Sequence, residues 1–534
     1  MLTHTEQLGA GAGAADRRGA AWLWAAALVA ALALYVFTMA PDLVWQDAGE
    51  YQWNVGRFAW PWVDTTVWSR PGEAVRVHPW FLVTAHALWW PLLWNYAYAA
   101  NLCAALGMAL AAANVVLLIR LMTGQVWPAV IGGVAFAVGH AVWAHACISE
   151  VYGGEAMFLS AECLCAWAWT RRGQARWLLA LFFLGGLAVS NHMMAAFGLT
   201  VFSLWVLVEC VRRRARWWVI PAAAGVWAVG AVLFWIVVGL EYARTRSLVE
   251  TIRSATVGGF GGAVLNVSHL PHLLWDSVLY LGLNYPTPLA LAGLVGVVVL
   301  VRQRETMATL LVAVAGLYLV WAARYDVADQ YGFFVPFYAP AAVIIGVGVA
   351  AILKGRRAWV PWAMLALALM PVAVYAALPD VARHLEIRFF KRKLPYRDPY
   401  TYFLRPWQRG NMGARQFAEG VMDVLPERAV LLPDETAAMP PKCLHDIEGR
   451  RPDVLVVDGY DAAFFPEYRA YWGDSPDVFG RLSAEGRRVF VVSKEPGYAP
   501  PWVRAGAHVE LFARTPQGEP LVYEVRPGGS EGTR

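Results

Sequence analysis

The first part of the chain alternates long apolar segments with short polar connections. A helix that crosses the hydrocarbon core of a bilayer needs about 20 apolar residues, and many segments come close to that length. They are residues 21–40, 97–119, 128–147, 154–170, 177–190, 193–210, 217–239, 287–301, 307–323, 333–353 and 358–378. The pattern therefore predicts an α-helical polytopic membrane protein with about 11 transmembrane helices. The fifth and sixth segments are nearly continuous, which predicts a hairpin that turns at Ser190-Asn191-His192.

The chain changes character after residue 378, where charge and proline increase and the apolar runs become short. The β-branched runs at 430–432, 454–457, 489–492 and 522–525 predict strands, and the patterns at 411–425 and 477–486 predict helices. Strands that alternate with helices predict a small α/β domain. We therefore predict two domains, a membrane domain over 1–378 and an α/β tail over 379–534, with disorder in residues 525–534. The tail has no phosphate-binding loop and no nucleophile elbow, so catalysis is predicted in the membrane domain.

Basic residues gather in alternate connections, which indicates the orientation of the membrane domain. They are Arg17, Arg18, Arg120, Arg171, Arg172, Arg176, Arg212, Arg213, Arg214, Arg216, Arg302, Arg304, Lys354, Arg356 and Arg357. By the positive-inside rule these connections and the N-terminus are cytoplasmic, and the tail is extracytoplasmic. The alternation requires that residues 78–93, interrupted by Pro79, His86 and Pro91, form interfacial helices in the first outer connection and do not cross the membrane.

Composition narrows the class of protein further. Hydrophobic residues make up 58% of the chain and the mean hydropathy is +0.44, values that exclude an ordinary soluble enzyme. The net charge of +5 reflects arginine-rich connections, so nucleic acid is not a predicted partner. Only Cys443 of the six cysteines belongs to the tail, and no metal-ligand spacing is present, so neither a disulfide nor a metal site is predicted.

Two carboxylates, Asp47 and Glu50, follow closely after the first apolar segment. Carboxylates at the mouth of a membrane span cost free energy unless they are solvated or paired, which indicates a functional site. Their spacing places both on one side of a helical turn, facing one cleft. A carboxylate there can act as a general base that takes the proton of an acceptor hydroxyl. The alternative is that Asp47 caps the N-terminus of an interfacial helix.

Other polar residues share the predicted outer face, and each has a plain alternative role. Glu150, followed by Tyr152, could bind a ligand hydroxyl, a cation or an arginine, or be the solvated end of a span. His78 and His192 could contact a phosphate oxygen, or be hydrogen-bonded structural residues. The outer arginines that break the positive-inside pattern are Arg244, Arg246, Arg253 and Arg324. Arginine suits phosphate because its planar fork donates two hydrogen bonds, although lipid headgroups or acidic groups of the tail would attract it equally.

A glycine-rich run, Gly258-Gly259-Phe260-Gly261-Gly262, lies in one of the same outer connections. Glycine tolerates unusual backbone angles, so this run could be a mobile loop that closes over a substrate. It could equally be a poorly ordered linker.

An ordered set of motifs along residues 40–460 resembles the multi-pass bacterial membrane family known as domain of unknown function 2723. The motifs are Asp47-Ala48-Gly49-Glu50, His78-Pro79, Asn101, Glu150-Val151-Tyr152, Asn191-His192, the segment from Asp326 to Pro336 and the segment from Glu448 to Val454. The resemblance extends to animal transmembrane protein O-mannosyltransferases and, more distantly, to the GT-C glycosyltransferase superfamily. The chain departs from the pattern after His78, where Pro79-Trp80-Phe81 replaces a Pro-Pro-Gly-Tyr-like run.

The resemblance implies a GT-C-like membrane glycosyltransferase of the bacterial inner membrane. It implies transfer of a sugar, with mannose as one candidate, from a polyprenyl-phosphate donor to a protein or glycan acceptor at the outer face, next to membrane lipids. Asp47 would be the catalytic base with Glu50 in support. The expected substrate-binding residues are His78, Glu150, Tyr152, Asn191, His192, Arg244, Arg246, Arg324, Asp326 and Asp329. No cofactor is certain, and a divalent cation could take part.

Two other classes compete with a transferase. A transporter or lipid flippase would have polar residues along a pathway, often with inverted repeats, whereas here no internal repeat is present and the polar residues gather at one face. A membrane scaffold that presents the tail to a partner would leave Asp47 and Glu50 without a role. We therefore rank the transferase first and the transporter second.

Overall fold

The membrane domain is built from helices that follow the predicted apolar segments. The computed structural model describes residues 4–58, 72–92, 95–265, 269–464, 468–473, 477–504 and 508–526. Its helices up to the tail are α1 (His4–Thr38), α2 (Gln46–Arg57), α3 (Pro79–Leu92), α4 (Tyr96–Thr123), α5 (Val126–Ala137), α6 (His140–Ala146), α7 (Tyr152–Arg172), α8 (Ala175–Asn191), α9 (Ala195–Val211), α10 (Val219–Gly230), α11 (Val232–Thr245), α12 (Leu248–Thr256), α13 (Gly261–Leu265), α14 (Leu270–Asn284), α15 (Leu291–Gln303), α16 (Thr306–Arg324), α17 (Val335–Leu353) and α18 (Val360–His384). Short 3-10 turns lie at Ala74–Arg76, Gly258–Phe260, Pro288–Ala290 and Gln330–Phe334. The polytopic helical fold predicted from the sequence is confirmed.

Helix α4 lies at the centre of the bundle, where it packs against α1, α3, α5, α7 and α17. Its length and apolar composition suit a span, and most of its residues are buried. Small residues let neighbouring helices approach closely within a membrane. A Cβ atom on Gly153 of α7 would lie 2.6 Å from the carbonyl oxygen of Ala104, and one on Gly107 would lie 2.9 Å from the Gly153 backbone. This close crossing fixes the start of α7 against α4.

Two predicted spans are bent and are not single straight helices, and a third follows its preceding helix at a steep angle. The predicted span at 128–147 consists of α5 and α6, which meet at 66°, and the one at 217–239 consists of α10 and α11, which meet at 71°. The predicted span at 287–301 comprises a short 3-10 turn and α15, and it lies at 111° to α14. Tertiary contact explains the second bend, since Gly230 at the end of α10 packs directly on Gly186 of α8.

The number of spans stays a prediction. Among the described residues, five helices are long and apolar enough to cross a membrane, and up to eight spans result if each bent pair counts as one. Helices α8 and α9 are apolar but have 17 residues each. The predicted turn between them is confirmed, because α8 ends at Asn191 and α9 begins at Ala195.

Two short helices, α2 and α3, lie on the same side of the bundle as the tail. Helix α3 has 14 residues, which is too short to cross a bilayer and agrees with the predicted interfacial segment. Helix α2 packs against α3 and α4 and against the tail. These two helices form part of the surface on which the tail rests.

The tail forms the predicted α/β domain around a five-stranded sheet of order β2-β1-β3-β5-β4. Its elements are α19 (Pro399–Leu404), α20 (Gly413–Val424), β1 (Val430–Leu432), α21 (Met439–Lys442), β2 (Leu455–Val456), α22 (Gly459–Phe464), α23 (Asp477–Ala484), β3 (Val489–Val491), α24 (Pro501–Arg504), β4 (His508–Arg514) and β5 (Pro520–Arg526), with a π-helical turn at Cys443–Ile447 and a 3-10 turn at Arg469–Trp472. Strands β2, β1 and β3 are parallel, whereas β5 is antiparallel to both β3 and β4.

Two details of the tail differ from the sequence-based prediction. Strand β4 was not predicted, because it is an edge strand whose residues are mostly exposed and lack the buried β-branched run of the inner strands. Val525 and Arg526 belong to β5, so the predicted disorder does not extend to them. Residues 527–534 of that predicted segment lie outside the described residues.

The tail is attached to the membrane domain through both apolar and charged contacts. The Trp45 and Phe417 rings, one beside α2 and the other on α20, lie 5.1 Å apart. The Arg415 guanidinium of α20 contacts Asp42 at 3.1 Å and Glu448 at 2.7 Å. The indole N–H of Trp53 in α2 donates a hydrogen bond to Asp446 at 2.7 Å. Helix α2 is therefore held between α4 and the tail.

Candidate active site

A cavity of about 400 Å³ opens beside α2 on the tail side of the bundle. Its wall comes from α2, the Ala74–Arg76 turn, the connection between α8 and α9, the end of α12 and the connection between α16 and α17. The predicted site residues that line it are Asp47, Glu50, His78, Tyr152, His192 and Asp329. Segments far apart in the sequence thus place six of the predicted residues around one space.

Asp47 and Glu50 both face the cavity from the first two turns of α2, as the spacing predicted. The residue at the N-cap position is Trp45, and no side chain caps the helix, so Asp47 does not have the capping role that was the alternative. The Asp47 side chain is 59% exposed, whereas that of Glu50 is 7% exposed. The positive end of the helix dipole stabilises a carboxylate in the first turn.

Hydrogen bonds from Gln52 and Asn101 fix the position of α2. The Gln52 side-chain oxygen accepts from the Val44 backbone N–H at 2.9 Å, and its amide donates to Asn101 of α4 at 3.1 Å. Asn101 in turn donates to the Ala40 carbonyl at 2.9 Å. Both amides are fully buried, so these bonds are costly to break. Asn101, one of the family-like motifs, therefore acts as a structural support of the catalytic helix.

Arg76 is the functional residue that the sequence analysis missed. Its guanidinium lies in the cavity wall, where Nη2 donates to Glu50 Oε2 at 3.1 Å and lies 3.9 Å from Asp47 Oδ1. The 3-10 turn that carries it is fixed by the Ala74 N–H, which donates to Ser254 of α12 at 2.9 Å. The signal in the sequence was its position two residues before His78-Pro79, in the same connection as a motif.

The structure does not bring the predicted arginines to this cavity. Arg244 pairs with the buried Glu241 at 2.8 Å. Arg246 ends α11 in a left-handed conformation with φ of 53° and is exposed. Arg324 is the last residue of α16, and neither it nor Arg253 is among the residues that line the cavity. Within the described chain, Arg76 supplies the guanidinium in the cavity wall.

The rings of His78 and His192 stack in the cavity wall, and Asn191 lies directly behind them. The His78 and His192 rings are parallel within 8° with centroids 5.0 Å apart, and His78 Nδ1 hydrogen-bonds the Asn191 carbonyl at 2.9 Å. Asn191 donates to the Val151 carbonyl at 3.0 Å, which links the group to α7. Burial lowers the pKa of His192 to about 4, so its imidazole is neutral at pH 7. It can thus offer a hydrogen bond to a substrate, and not a positive charge.

His78 adopts a strained backbone conformation at the edge of the cavity. Its φ is 48°, in the left-handed region, and Pro79 follows it. The left-handed region is unfavourable for a non-glycine residue, and proline restricts the preceding residue further. Strain of this kind concentrates at functional sites, where the surrounding structure maintains it.

Three carboxylates affect one another around the cavity. Burial and the Asp47 and Asp329 carboxylates raise the pKa of Glu150 well above its usual range. Burial and the Asp47 carboxylate raise the pKa of Asp329 to about 6, against the lowering effect of Arg76. Glu150 is half-buried beside the cavity, although it is not among the lining residues. Asp326 instead pairs with His269 at 2.8 Å and is not among the lining residues.

The glycine-rich run forms a packed part of the cavity wall. The Gly259 N–H donates to Glu73 Oε1 at 2.6 Å, and Gly258 uses a left-handed φ of 52° where a side chain would collide with Glu73. Phe260 lines the cavity, with its ring 5.7 Å from the Arg76 guanidinium. In this structure the contacts of Gly258, Gly259 and Phe260 help to hold Glu73 and Arg76.

The geometry provides an exposed carboxylate and a fixed guanidinium in one cavity. Glu50 is buried and directed at Arg76, which orients the guanidinium next to Asp47. Such a pair can take a proton from a hydroxyl while it stabilises an anionic leaving group. In the part of the chain that is described, no three His, Cys, Asp or Glu side chains are placed to hold a metal ion together.

Comparisons with known proteins agree with this architecture. Residues 78–218 match the model of the protein O-mannosyl-transferase TMEM260 N-terminal domain. No curated protein sequence matches the chain.

Two crystal structures of ArnT from Cupriavidus metallidurans superpose on nearly the whole chain. The apo structure gives a TM-score of 0.61 at 14% identity and covers 95% of this chain and 98% of that chain. The structure bound to undecaprenyl phosphate gives a TM-score of 0.56 at 14% identity and covers 96% and 99%. The chain is therefore an integral membrane protein with the GT-C fold of ArnT, and its residues 78–218 are similar to the N-terminal domain of a protein O-mannosyl-transferase.

Proposed function

We propose that this protein is a glycosyltransferase that moves a sugar from a polyprenyl-phosphate donor to a hydroxyl of a protein or glycan acceptor. The observation that carries the proposal is the meeting of Asp47 and Arg76 in one cavity, 3.9 Å apart. The cavity lies on the side of the tail, which the positive-inside rule makes the outer face of a bacterial inner membrane. Mannose is the proposed sugar, because the family model matched by residues 78–218 is that of an O-mannosyltransferase.

The proposed reaction is a single displacement at the anomeric carbon of the sugar. The acceptor oxygen attacks this carbon while the bond from the carbon to the donor phosphate oxygen breaks, and the electron pair of that bond leaves with the phosphate. Asp47 takes the hydroxyl proton as the new bond forms. Arg76 stabilises the negative charge that develops on the phosphate, and its planar fork can contact two phosphate oxygens. Glu50 is a positioning residue, because it orients the Arg76 guanidinium.

The opposite wall of the cavity suits a prenyl chain. Phe197 at the start of α9 and Trp321 near the end of α16 line the cavity, with their rings 4.6 Å apart. Helix α16 is one of the candidate spans, and a prenyl chain that contacts these two rings would extend along it. The ArnT structure with bound undecaprenyl phosphate supports a lipid-phosphate donor for a protein of this fold.

The experiment is a transfer assay in membranes that contain the protein, with radiolabelled polyprenyl-phosphate mannose and then other lipid-linked sugars. Asp47→Asn keeps the size of the side chain but removes the base, so we expect transfer to fall by about 10²-fold or more. The matched control is Asp380→Asn, because the Asp380 side chain is 73% exposed on α18 and is not among the residues that line the cavity.

The outcomes separate the proposal from its alternatives. Loss of transfer in Asp47→Asn but not in Asp380→Asn supports Asp47 as the base. Equal transfer by the wild type and Asp47→Asn would remove Asp47 from the catalytic role. No transfer from any lipid-linked sugar would favour the transporter or flippase.

The proposed reaction includes no divalent cation, because Arg76 supplies the positive charge. Transfer activity that persists in EDTA would agree with this.

A further inference from the structure

A second cavity, of about 380 Å³, lies in the tail at the carboxyl ends of its three parallel strands. Its lining comes from the segments that follow each strand, with Asp434 to Thr436 after β1, Gly459 after β2 and Gly497 to Pro501 after β3. Ligands of parallel α/β sheets bind in the crevice outside the carboxyl ends of the strands. The volume lies within the range of small-molecule sites.

Two aromatic rings are fixed at the edge of this cavity. The Trp472 indole packs against Gly459, where a Cβ atom would lie 3.3 Å from the ring, and its N–H donates to the Val457 carbonyl at 3.0 Å. Tyr498 is held by the Arg392 guanidinium, which lies 4.1 Å from the centre of its ring. Both rings line the cavity and are half-buried. Fixed aromatic faces of this kind bind apolar surfaces at little entropic cost.

The polar part of the lining includes two carboxylates, those of Asp434 and Glu435. Asp434 is buried and pairs with Arg392 and Thr436 at the base of the cavity. Glu435 is exposed at its opening. A carboxylate accepts hydrogen bonds and, when ionised, donates none, so it suits a ligand that carries several hydroxyl donors.

This cavity is close to the active-site cavity. The segment after Thr436 continues into α21, which begins at Met439. Met439 packs closely on α2, since a Cβ atom on Gly49 would lie 2.9 Å from the Met439 Cβ atom. Gly49 is two residues from Asp47. Glu435, next to Thr436 in this segment, is also near enough to interact electrostatically with Asp47 and Arg76. The segment from Asp434 to Met439 therefore connects the lining of the cavity in the tail with α2.

We propose that the cavity in the tail binds a saccharide acceptor and directs one of its hydroxyls to Asp47. A sugar ring has an apolar face of C–H groups for Trp472 and Tyr498 and a rim of hydroxyl donors for Glu435. A peptide main chain would also require hydrogen-bond donors from the protein, whereas the exposed carboxylate in the lining, Glu435, supplies an acceptor. The inference rests on the proposed function. Of the two acceptor classes named there, protein and glycan, it selects the glycan.

The test uses the full chain in the same transfer assay, with mannotriose, maltotriose and triacetylchitotriose as acceptor probes. We expect at least one trisaccharide to accept the sugar. Trp472→Ala should raise its KM about tenfold, because a lost aromatic contact is worth roughly 1.4 kcal/mol. Glu435→Gln should raise the KM about fivefold through a weakened hydrogen bond, and kcat at saturating acceptor should change much less. The matched control is Glu510→Gln, a half-buried carboxylate on the edge strand β4 that is not among the residues lining this cavity.

Further measurements keep the result interpretable. Trp472→Phe retains an aromatic face without the hydrogen bond to Val457. If stacking is the cause of the effect, the KM of this variant should lie close to the wild-type value. Transfer to a serine- and threonine-containing peptide but to none of the trisaccharides would overturn the saccharide inference and leave the proposed function intact. An unchanged KM in both Trp472→Ala and Glu435→Gln would also overturn it. Failure of the wild type to release sugar from any donor, even to water, would instead contradict the proposed function itself.

Discussion

The two carboxylates of α2 have different surroundings although they lie three residues apart. The Asp47 side chain is mostly exposed to the cavity, whereas Glu50 is buried and accepts a hydrogen bond from Arg76 at 3.1 Å. An exposed carboxylate can exchange protons with a substrate, and a buried one is better suited to fixing a neighbouring charge. Asp47 thus has the geometry of the reacting group, and Glu50 that of its support.

At the scale of the residue, we predict that Arg76→Gln lowers transfer by about 10²-fold to 10³-fold, the usual loss when a donor that stabilises developing charge is removed. Arg76→Lys should recover only part of this, because an ammonium lacks the planar fork. The rate of transfer at saturating donor measures the effect. Arg246→Gln is the control, since Arg246 is an exposed arginine on a tail-side connection that does not line the cavity. Equal losses in Arg76→Gln and Arg246→Gln would contradict the assignment.

The sequence predicted the site residues that are carried by recognisable motifs. Asp47, Glu50, Tyr152 and Asp329 all line the cavity, and each lies at or near the start of a helix or a 3-10 turn. Arg76 could not be chosen from sequence in the same way. Its place depends on a 3-10 turn that packs against α12, a contact between residues about 180 positions apart.

The crossing of α4 and α7 determines where Glu150 and Tyr152 lie. At this point the two helices approach so closely that a Cβ atom on Gly153 would collide with the carbonyl oxygen of Ala104. Glycine is required here by the close approach of two backbones. The start of α7, and with it one wall of the cavity, follows from this contact.

At the scale of the element, Gly153→Ala should therefore destabilise the protein by about 1–3 kcal/mol through overpacking, and it should reduce transfer because Tyr152 moves. The thermal unfolding midpoint and the rate of transfer of the purified protein check both effects. Gly225→Ala in α10 is the matched control, because a Cβ atom there meets no atom within 4 Å. We expect this control to be neutral or slightly stabilising, since alanine is the better helix former.

Helix positions followed from hydrophobic periodicity, whereas helix bends did not. The bend between α10 and α11 lies where Gly230 meets Gly186, and periodicity within one segment carries no information about such a contact. The edge strand β4 was not predicted because its sequence pattern also carried no signal. Its residues are largely exposed, so the signal of a buried strand was missing.

At the scale of the whole molecule, the tail and the membrane domain are joined through α2. Lys442 of α21 is buried between Asp458 and Asp461, and its ammonium lies 4.4 Å from the centre of the Trp53 ring on α2. Arg415 connects Asp42, just before α2, with Glu448 of the tail. The catalytic helix is thus stabilised from two sides.

We predict that Arg415→Ala loosens this attachment, because it removes hydrogen bonds to two carboxylates, each worth roughly 1.5–3 kcal/mol. Backbone amides of α2 should exchange hydrogen faster, and transfer should fall by about tenfold or more. Hydrogen exchange measured by mass spectrometry and the transfer assay provide the two readouts. Arg450→Ala is the control, since Arg450 pairs with Glu419 and Asp423 within the tail itself. Unchanged exchange of α2 in Arg415→Ala would contradict this role of the tail.

The position of α2 between the two domains also has a consequence for biosynthesis. The ribosome makes residues 46–57 early, but the tail residues that hold them, such as Met439 and Lys442, are made hundreds of residues later. An unfinished chain therefore contains Asp47, the proposed base, without the second support that positions α2. Completion and folding of the tail would then act as the step that starts activity, so partially synthesised chains in the membrane would not consume the lipid-linked donor.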